Sequence, residues 1–156
     1  MNAPRVSVIH GPNLRLLGRR EVSIYGDTTL EAINALLWSL AEELGIELET
    51  FQSNHEGEIL DYLESVAGRT DGFLINAAGL THTSVALRDG LRGVDRPFVE
   101  VHLSNISARE SFRHESLLSA VAAGVVYGFG VQSYLLGLRG LASHLRDTTR
   151  HGAHHD

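Results

Sequence analysis

The chain has 156 residues, of which 43% are hydrophobic and 21% charged, and its net charge is −6. This length and composition are typical of one globular domain and exclude a disordered protein. There is no cysteine and all 13 basic residues are arginine, which excludes disulfides, thiol nucleophiles and Schiff-base lysines. An acidic chain without a basic stripe also argues against nucleic acid as a partner.

The sequence shows no sign of membrane insertion or export. No apolar run approaches the roughly 18 residues that are needed to span a bilayer. Residues 1–5 lead directly into a strand-like run, so we expect no signal peptide. Because the absence of cysteine suits a reducing compartment, we expect a cytoplasmic protein with a single domain over residues 1–156 and no membrane contact.

In chain order, β-rich runs alternate with helical stretches. The predicted strands are residues 6–10, 46–51, 72–76, 97–103 and a run within 120–127. The predicted helices are residues 30–44, 59–66, 85–91 and 134–145. Thr28 and Glu31 have the spacing of a capping box before the first helix, and Gly45 suits the position just after its end.

This alternation predicts an α/β fold with a parallel sheet covered by helices on both faces. We expect a doubly wound, flavodoxin-like sheet of five strands in the order 2-1-3-4-5. Residues 11–27 form a long irregular segment, which in a compact domain is typical of a functional lid over an active site. Residues 147–156 are expected to be a frayed tail.

Amide, hydroxyl and imidazole residues follow four of the predicted strands. In an open α/β sheet, ligands bind at the carboxyl ends of the strands. A single polar residue at such a position is more often a capping group, but four strand ends together predict a binding site. The residues are His10, Asn13, Gln52, Ser53, Asn54, Asn76, His82, His102, Ser104 and Asn105.

Several common chemistries do not fit these residues. A phosphoacceptor site needs an acidic cluster after the first strand and a lysine, whereas this chain has His10 and Asn13 there and no lysine. Residues 128–133 fail the dinucleotide fingerprint, and the sequence has neither a Gly-x-Ser-x-Gly elbow nor a His-Glu-x-x-His zinc motif. Acid–base chemistry on an anionic, hydroxyl-rich small molecule remains, with arginine as the partner of its carboxylate.

Motifs at the predicted strand ends resemble those of the type II 3-dehydroquinate dehydratase family. The similarity extends over about residues 5–145. The matching motifs are Gly11-Pro12-Asn13-Leu14, Arg20-Glu21, Ile24-Tyr25-Gly26, Gln52 to Glu58, Thr81 to Asp89, Glu100 to Ile106, Ala108-Arg109-Glu110 and Phe112-Arg113-His114.

The resemblance implies a hydro-lyase that converts 3-dehydroquinate to 3-dehydroshikimate, a step of shikimate or quinate metabolism. The family eliminates water in the anti sense through an enolate, with neither a metal nor a cofactor. By this resemblance, Tyr25 is the base that removes a C2 proton, and Arg20 stabilises charge near it. Asn13 holds a water at the enolate oxygen, while His102, positioned by Glu100, protonates the departing C1 hydroxyl.

The resemblance also implies the residues that bind the substrate and the state of assembly. The side chains of Asn76, His82, Asp89 and Arg113 are expected to bind hydroxyls, with Arg109 as a possible helper of Arg20. The backbone N–H groups of Leu103 and Ser104 are expected to bind the carboxylate. Members of the family form trimers that gather into a dodecamer, so we expect a homo-oligomer of this kind.

The chain departs from the family at several positions. Val22 stands where proline is common, and Arg15 where asparagine is usual. His114-Glu115-Ser116-Leu117 and Ser119-Ala120 replace the common His-His-Ser-Tyr and Ser-Pro. We expect these differences to affect lid mobility and subunit packing and to leave the reaction unchanged.

Two other interpretations stay open at this point. One is a different elimination or isomerisation of a related cyclic hydroxy acid by the same base. The other is a binding module of the same fold without catalysis, although such a module needs no Tyr25 and His102 pair. Taken alone, Tyr25 is more often a packed loop aromatic, and Glu100 a buried carboxylate held by an arginine. No functional role is assigned to Arg15, Arg19 or Arg88: Arg19 is interpreted as a solvated residue and Arg88 as an ordinary residue of a helix surface.

Overall fold

The computed structural model describes residues 2–152 and has a five-stranded, all-parallel sheet in the order β2-β1-β3-β4-β5. The predicted fold and strand order are confirmed. The strands are β1 Arg5–His10, β2 Glu47–Gln52, β3 Gly72–Asn76, β4 Phe98–His102 and β5 Gly124–Tyr127.

Helices cover both faces of this sheet. They are α1 Val22–Tyr25, α2 Leu30–Leu44, α3 Glu56–Val66, α4 Val85–Gly93 and α5 Val131–Gly152. Because side chains alternate along a strand, Val8 packs into the core beneath α2 and α5, and its neighbour Ile9 packs into the core beneath α3 and α4. Within residues 2–152, no helix is both long and apolar enough to cross a bilayer.

Short 3-10 turns occupy the loops that follow the strands. They are Leu14–Leu16 after β1, Ala78–His82 after β3, and Ile106–Ala108, Ser111–Arg113 and Ser119–Val121 between β4 and β5. Since all strands run in the same direction, the turns that follow β1, β3 and β4 begin at the same edge of the sheet.

The structure corrects the prediction that residues 11–27 are irregular. This segment contains the Leu14–Leu16 turn and the single helical turn α1, and Leu14 and Leu17 are buried in the core under α2 and α5. The segment is therefore attached to the domain by apolar contacts at its start. Gly18 has a φ of +83°, and a Cβ there would lie 2.9 Å from the carbonyl oxygen of Asp27, so the middle of the segment lies against its end.

The ends of two helices also differ from the prediction. The cap of α2 is Thr29, not Thr28, because its extended backbone directs Oγ1 to the N–H of Ala32, 3.2 Å away. Helix α5 continues to Gly152, so residues 147–152 of the predicted frayed tail are helical, whereas residues 153–156 lie outside the described part. Buried Leu145 anchors this last stretch in the core.

His10 is a core residue and not part of a binding site. Its Nε2–H donates to Oδ1 of Asn34 on α2, and its Nδ1 accepts from the hydroxyl of Tyr134 on α5, both at 2.8 Å. Val6, Val8 and His10 are two apart along β1, which places the imidazole on the face covered by these two helices. Burial lowers the pKa of His10 to about 4, against the hydrogen bond to Asn34, so the ring is neutral.

This lowered pKa predicts that stability falls in mild acid. The unfolded chain takes up the proton near pH 6.5 and the folded chain near pH 4, so the stability contributed by neutral His10 is lost as the pH falls through this window. The loss amounts to about 3 kcal/mol. Urea unfolding at several pH values should show a smaller pH dependence for His10→Asn than for the original chain. His144→Asn, at an exposed position on α5, should keep the original dependence; equal slopes for all three would contradict the argument.

Candidate active site

A cavity of about 160 Å³ lies at the carboxyl edge of the sheet, beside the ends of β1, β3 and β4. Most of the residues that the sequence assigned to a site lie around it, although they come from distant parts of the chain. They are Asn13, Arg20, Tyr25, Asn76, His82, His102, Leu103, Ser104, Arg109 and Arg113.

A close approach of the backbone brings the ends of β1 and β3 together. The N–H of Gly11 donates to the carbonyl of Asn76 at 2.8 Å, and a Cβ at Gly11 would lie 2.5 Å from the carbonyl oxygen of Ala77. No larger residue fits there without moving the chain. The next turn places Asn13 in the left-handed conformation, with a φ of 69°, which asparagine adopts more readily than most residues. The amides of Asn13 and Asn76 therefore line the same cavity.

The polar residues that follow β2 support this turn and do not line the cavity. Oδ1 of Asn54 accepts from the N–H of Asn13 at 3.0 Å and from Nε2 of Gln52 at 3.1 Å. Gln52 also donates to the carbonyl of Gly11 at 3.1 Å. The strand-end amides therefore have two different roles. Asn13 and Asn76 line the cavity, whereas Gln52 and Asn54 hold the loop that carries Asn13.

Tyr25 is half-buried between two guanidinium groups. The guanidinium carbon of Arg20 lies 5.3 Å from the centre of the ring, and that of Arg109 lies 5.0 Å from it. Arg20 belongs to the same loop as Tyr25, whereas Arg109 follows β4 and has a largely buried side chain. The ring of Tyr25 therefore lies in a cationic environment. The sequence analysis expected Arg20 to be its main source, with Arg109 as a possible helper.

His102 and Glu100 form a buried pair on β4. Phe98, Glu100 and His102 are two apart and project from one face of the strand. The Nε2 of His102 lies 2.6 Å from Oε2 of Glu100, and the two residues are 5% and 0% exposed. Because an ionised carboxylate only accepts hydrogen bonds, Nε2 of His102 carries a proton. The other ring nitrogen, Nδ1, is not bonded to Glu100.

Glu100 is ionised although it has no contact with solvent. Burial raises the pKa of this carboxyl, but hydrogen bonding and charge interaction with His102, with further hydrogen bonds from Ser119 and Ser116, bring the pKa below its usual range. The two serine hydroxyls donate to Oε1 at 2.8 and 2.9 Å. The alternative interpretation, in which an arginine holds a buried Glu100, does not apply, because its partners are His102 and the two serines. The role of the serines was not predicted from the sequence beyond the general need of a buried carboxylate for donors.

His82 stacks beside His102, and its proton is held on Nδ1, whereas that of His102 is held on Nε2. Its Nδ1 lies 2.7 Å from the carbonyl oxygen of Glu115, which can only accept, so Nδ1 carries the proton. The two imidazole rings are nearly parallel, with an angle of 18° and a distance of 6.5 Å between their centres. His82 therefore has Nε2 available to a molecule in the cavity.

Three arginines give the cavity its charge. Arg20, Arg109 and Arg113 line it, and Glu110 holds the last two from outside, at 2.8 Å from Nε of Arg113 and 3.8 Å from Nε of Arg109. An arginine-lined cavity in a chain of net charge −6 favours a small anion. In the part of the chain that is described, no three His, Asp or Glu side chains are grouped as a metal site would require.

Asp89 is the predicted site residue that lies away from this cavity. It is exposed on α4, where Leu87 and Leu91 face the core. A residue two positions from each of them projects from the opposite side of a helix, because successive residues turn by about 100°. Within one chain, Asp89 therefore does not contribute to the cavity. Glu100 does not line it either and reaches it through His102.

The sequence matches the family described as dehydroquinase class II over residues 4–142. A 3-dehydroquinate dehydratase of Acaryochloris marina is 54% identical over 149 residues, which cover 96% of this chain and 100% of the relative. One of Prochlorococcus marinus is 58% identical and covers 89% of this chain and 96% of its own.

This chain belongs to the class II dehydroquinase family. The crystal structure of a type II dehydroquinase from Butyrivibrio crossotus superposes with a TM-score of 0.87 at 39% identity, covering 89% of this chain and 97% of that one. The family resemblance found in the strand-end motifs is therefore confirmed, and the class II dehydroquinase fold accounts for the sheet order observed here.

The hydrogen bonds of the two histidines predict opposite tautomers. At a pH where both rings are neutral, His102 should carry its proton on Nε2 and His82 on Nδ1. In nitrogen chemical shifts of ¹⁵N-histidine-labelled protein, the signals lost in His102→Gln should be those of an Nε2-protonated ring and the signals lost in His82→Gln those of an Nδ1-protonated ring. The same tautomer at both positions would rule out one of the two described hydrogen bonds.

Proposed function

We propose that this chain dehydrates 3-dehydroquinate to 3-dehydroshikimate, as a metal- and cofactor-independent hydro-lyase of the shikimate pathway. The observation that supports it most is one cavity lined both by a phenol with two guanidiniums near its ring and by an imidazole that is bonded to a buried carboxylate. The relatives named above carry this activity in their names, and a phenol, an imidazole and guanidinium groups suit the base, the acid and the cationic groups of this reaction.

Tyr25 acts as the base in this proposal. Its phenolate takes a proton from C2 of the substrate, and the electrons of the C–H bond form an enolate with the neighbouring ketone. A free phenol is ionised in only about one molecule in a thousand at pH 7. A phenol that acts as a base near neutral pH therefore needs nearby positive charge. Arg20 and Arg109 supply this charge, with guanidinium carbons 5.3 and 5.0 Å from the centre of the ring.

His102 acts as the acid. The enolate collapses to a carbon–carbon double bond as the C1–oxygen bond breaks, and the leaving hydroxide takes a proton from the imidazolium. Because Nε2 is committed to Glu100, we assign this proton to Nδ1. The ionised Glu100 stabilises the imidazolium before transfer and holds the ring in one orientation afterwards.

The remaining lining residues bind and orient the substrate. Asn13 holds a water at the enolate oxygen, and the backbone of Leu103 and Ser104 binds the carboxylate. The side chains of Asn76, His82 and Arg113 bind hydroxyls around the ring. The amide of Asn76 and the guanidinium of Arg113 donate to hydroxyl oxygens, whereas the Nε2 of a neutral His82 accepts from a hydroxyl proton.

Asp89 connects the proposed function with the assembly of several copies of the chain. If this residue binds a substrate hydroxyl as the family resemblance implies, it does so in the cavity of a neighbouring copy, because it is exposed in its own chain. We therefore retain the trimer-based dodecamer and the cytoplasmic location as part of the proposed function. The mass of the assembly in solution, against 17.0 kDa for one chain, tests the first of these.

The direct test follows the conjugated enone of the product by its ultraviolet absorbance after 3-dehydroquinate is added. Tyr25→Phe should fold, bind substrate and be nearly inactive, and His102→Ala should lower kcat by about 10²–10⁴-fold. Tyr62→Phe on α3 is a matched control that should retain full activity. Activity should also survive chelators and borohydride. Binding without turnover in the unaltered protein would point to a binding module, and an active Tyr25→Phe would refute the mechanism.

The two arginines beside Tyr25 should affect the pH profile of the reaction. Since each guanidinium favours the phenolate, Arg20→Ala should lower kcat and move the acid limb of the kcat/KM profile to higher pH. Arg109→Ala should do the same to a smaller degree, and Arg19→Ala, a loop residue outside the cavity lining, should change neither. An acid limb that moves in Arg109→Ala alone would transfer the main role to Arg109.

The loop that carries Tyr25 should close over a bound ligand. It holds Arg20 and Tyr25 with both side chains about half exposed or less, and α1 is only one helical turn. Trypsin should cut after Arg19 or Arg20 in the free protein, and quinate, which has no ketone to react, should protect these bonds. Cleavage after Arg150 on α5 serves as the internal control. Equal cleavage of the loop at saturating quinate would argue against closure.

A further inference from the structure

We infer that Ser116 and Ser119 are positioning residues that act on the reaction through Glu100 and His102. The inference rests on the proposed function, in which His102 is the acid. Neither serine lines the cavity, but both donate to the carboxylate oxygen that His102 leaves free. They fix the orientation of the carboxylate, and the carboxylate in turn fixes the orientation of the imidazole.

The geometry around Glu100 leaves its carboxylate a single orientation. Ser116 and Ser119 donate to Oε1 at 2.9 and 2.8 Å, while His102 donates to Oε2 at 2.6 Å. Three donors therefore converge on one ionised group that has no exposed surface. Rotation of the carboxylate would break at least two charge-assisted hydrogen bonds in a site without solvent to replace them.

The hydroxyl of Ser116 is itself oriented by the backbone. Its oxygen accepts from the N–H groups of Leu118 and Ser119, both at 3.1 Å. A hydroxyl oxygen has two lone pairs and one proton, so these two bonds leave the proton directed at Glu100. The start of the Ser119–Val121 turn thus sets the direction of the hydrogen bond that Glu100 receives.

The segment 115–119 is attached to the elements that carry both histidines. The N–H of Leu117 donates to the carbonyl of Thr81 at 2.9 Å, and Nη1 of Arg88 donates to the carbonyl of Leu117 at 2.8 Å. The carbonyl of Glu115 accepts from Nδ1 of His82, as described above. One short segment thereby holds His82 directly and His102 through Glu100. Its role is thus wider than the subunit packing expected from the sequence.

Removal of these donors should disturb the acid more than the binding of substrate. Without them, Oε1 of Glu100 becomes a buried and unpartnered anion, and the carboxylate gains the freedom to turn away from His102. The imidazole of His102 then loses its fixed tautomer and its orientation toward the leaving hydroxyl. The side-chain hydrogen bonds of the two serines go to Glu100 and to the backbone of their own segment, and none goes to a group assigned to substrate binding, so KM should change little.

The experiment measures kcat and KM for Ser116→Ala, Ser119→Ala and the double variant. Each single change should lower kcat by about 10-fold and the pair by about 10²-fold or more, with KM within about twofold of the original. Ser116→Thr and Ser119→Thr keep the hydroxyl at half-exposed positions and should recover most of the rate. Ser143→Ala, on the exposed side of α5, is the matched control and should have no effect.

A cycle with His102→Ala separates positioning from a general structural role. If both serines act through His102, their replacement should lower kcat no further once His102 is alanine, even where the unpartnered carboxylate of Glu100 lowers the melting temperature. A further loss in that background would overturn the inference, as would an unchanged kcat in Ser116→Ala/Ser119→Ala alongside a defective His102→Ala. Should the double variant fail to fold, the single alanine and threonine pairs decide. A fully active His102→Ala would instead refute the proposed acid, and the inference with it.

Discussion

The buried carboxylate of Glu100 is the constraint on which the site depends. An ionised group without solvent contact is stable only when every lone pair that needs a donor has one. On β4 this requirement is met by a histidine on the same strand and by two serines from the segment that leads to β5. The hydrogen bonds that stabilise the charge of Glu100 therefore fix the orientation and tautomer of His102, the proposed acid. They also fix the path of the chain between β4 and β5.

The proposed base is held in a different way. Tyr25 lies on a loop that is attached to the core through Leu14 and Leu17, and the groups around its ring are the charged ends of two arginines. Apolar anchors and cation–ring contacts tolerate movement better than the converging hydrogen bonds around Glu100. The site thus combines one half on the sheet, held by converging hydrogen bonds, with another half on a loop, held by apolar and cation–ring contacts.

At the carboxyl edge of the sheet, each face has its own histidine, His10 on one face and His102 on the other. His10 is held neutral beneath α2 and α5, where burial lowers its pKa to about 4. His102 projects from the same face of β4 as Glu100 and lies beside an anion. Two strand-end histidines of the same fold therefore differ in their surroundings, since His10 meets only neutral partners and His102 meets a carboxylate.

The sequence by itself determined the parallel sheet and the edge at which the cavity lies, because strand and helix periodicity are local properties and parallel strands end at the same edge. The strand order followed from the expected flavodoxin-like fold, and the pairing of Glu100 with His102 from the family resemblance. The sequence did not reveal that His10 turns into the core, that Asp89 faces solvent in its own chain, or that Ser116 and Ser119 hold Glu100. Nor did it reveal that Arg88, interpreted as an ordinary helix-surface residue, anchors the segment 115–119. These outcomes depend on which side chains meet across loops of different elements, and only the packed tertiary structure decides such contacts.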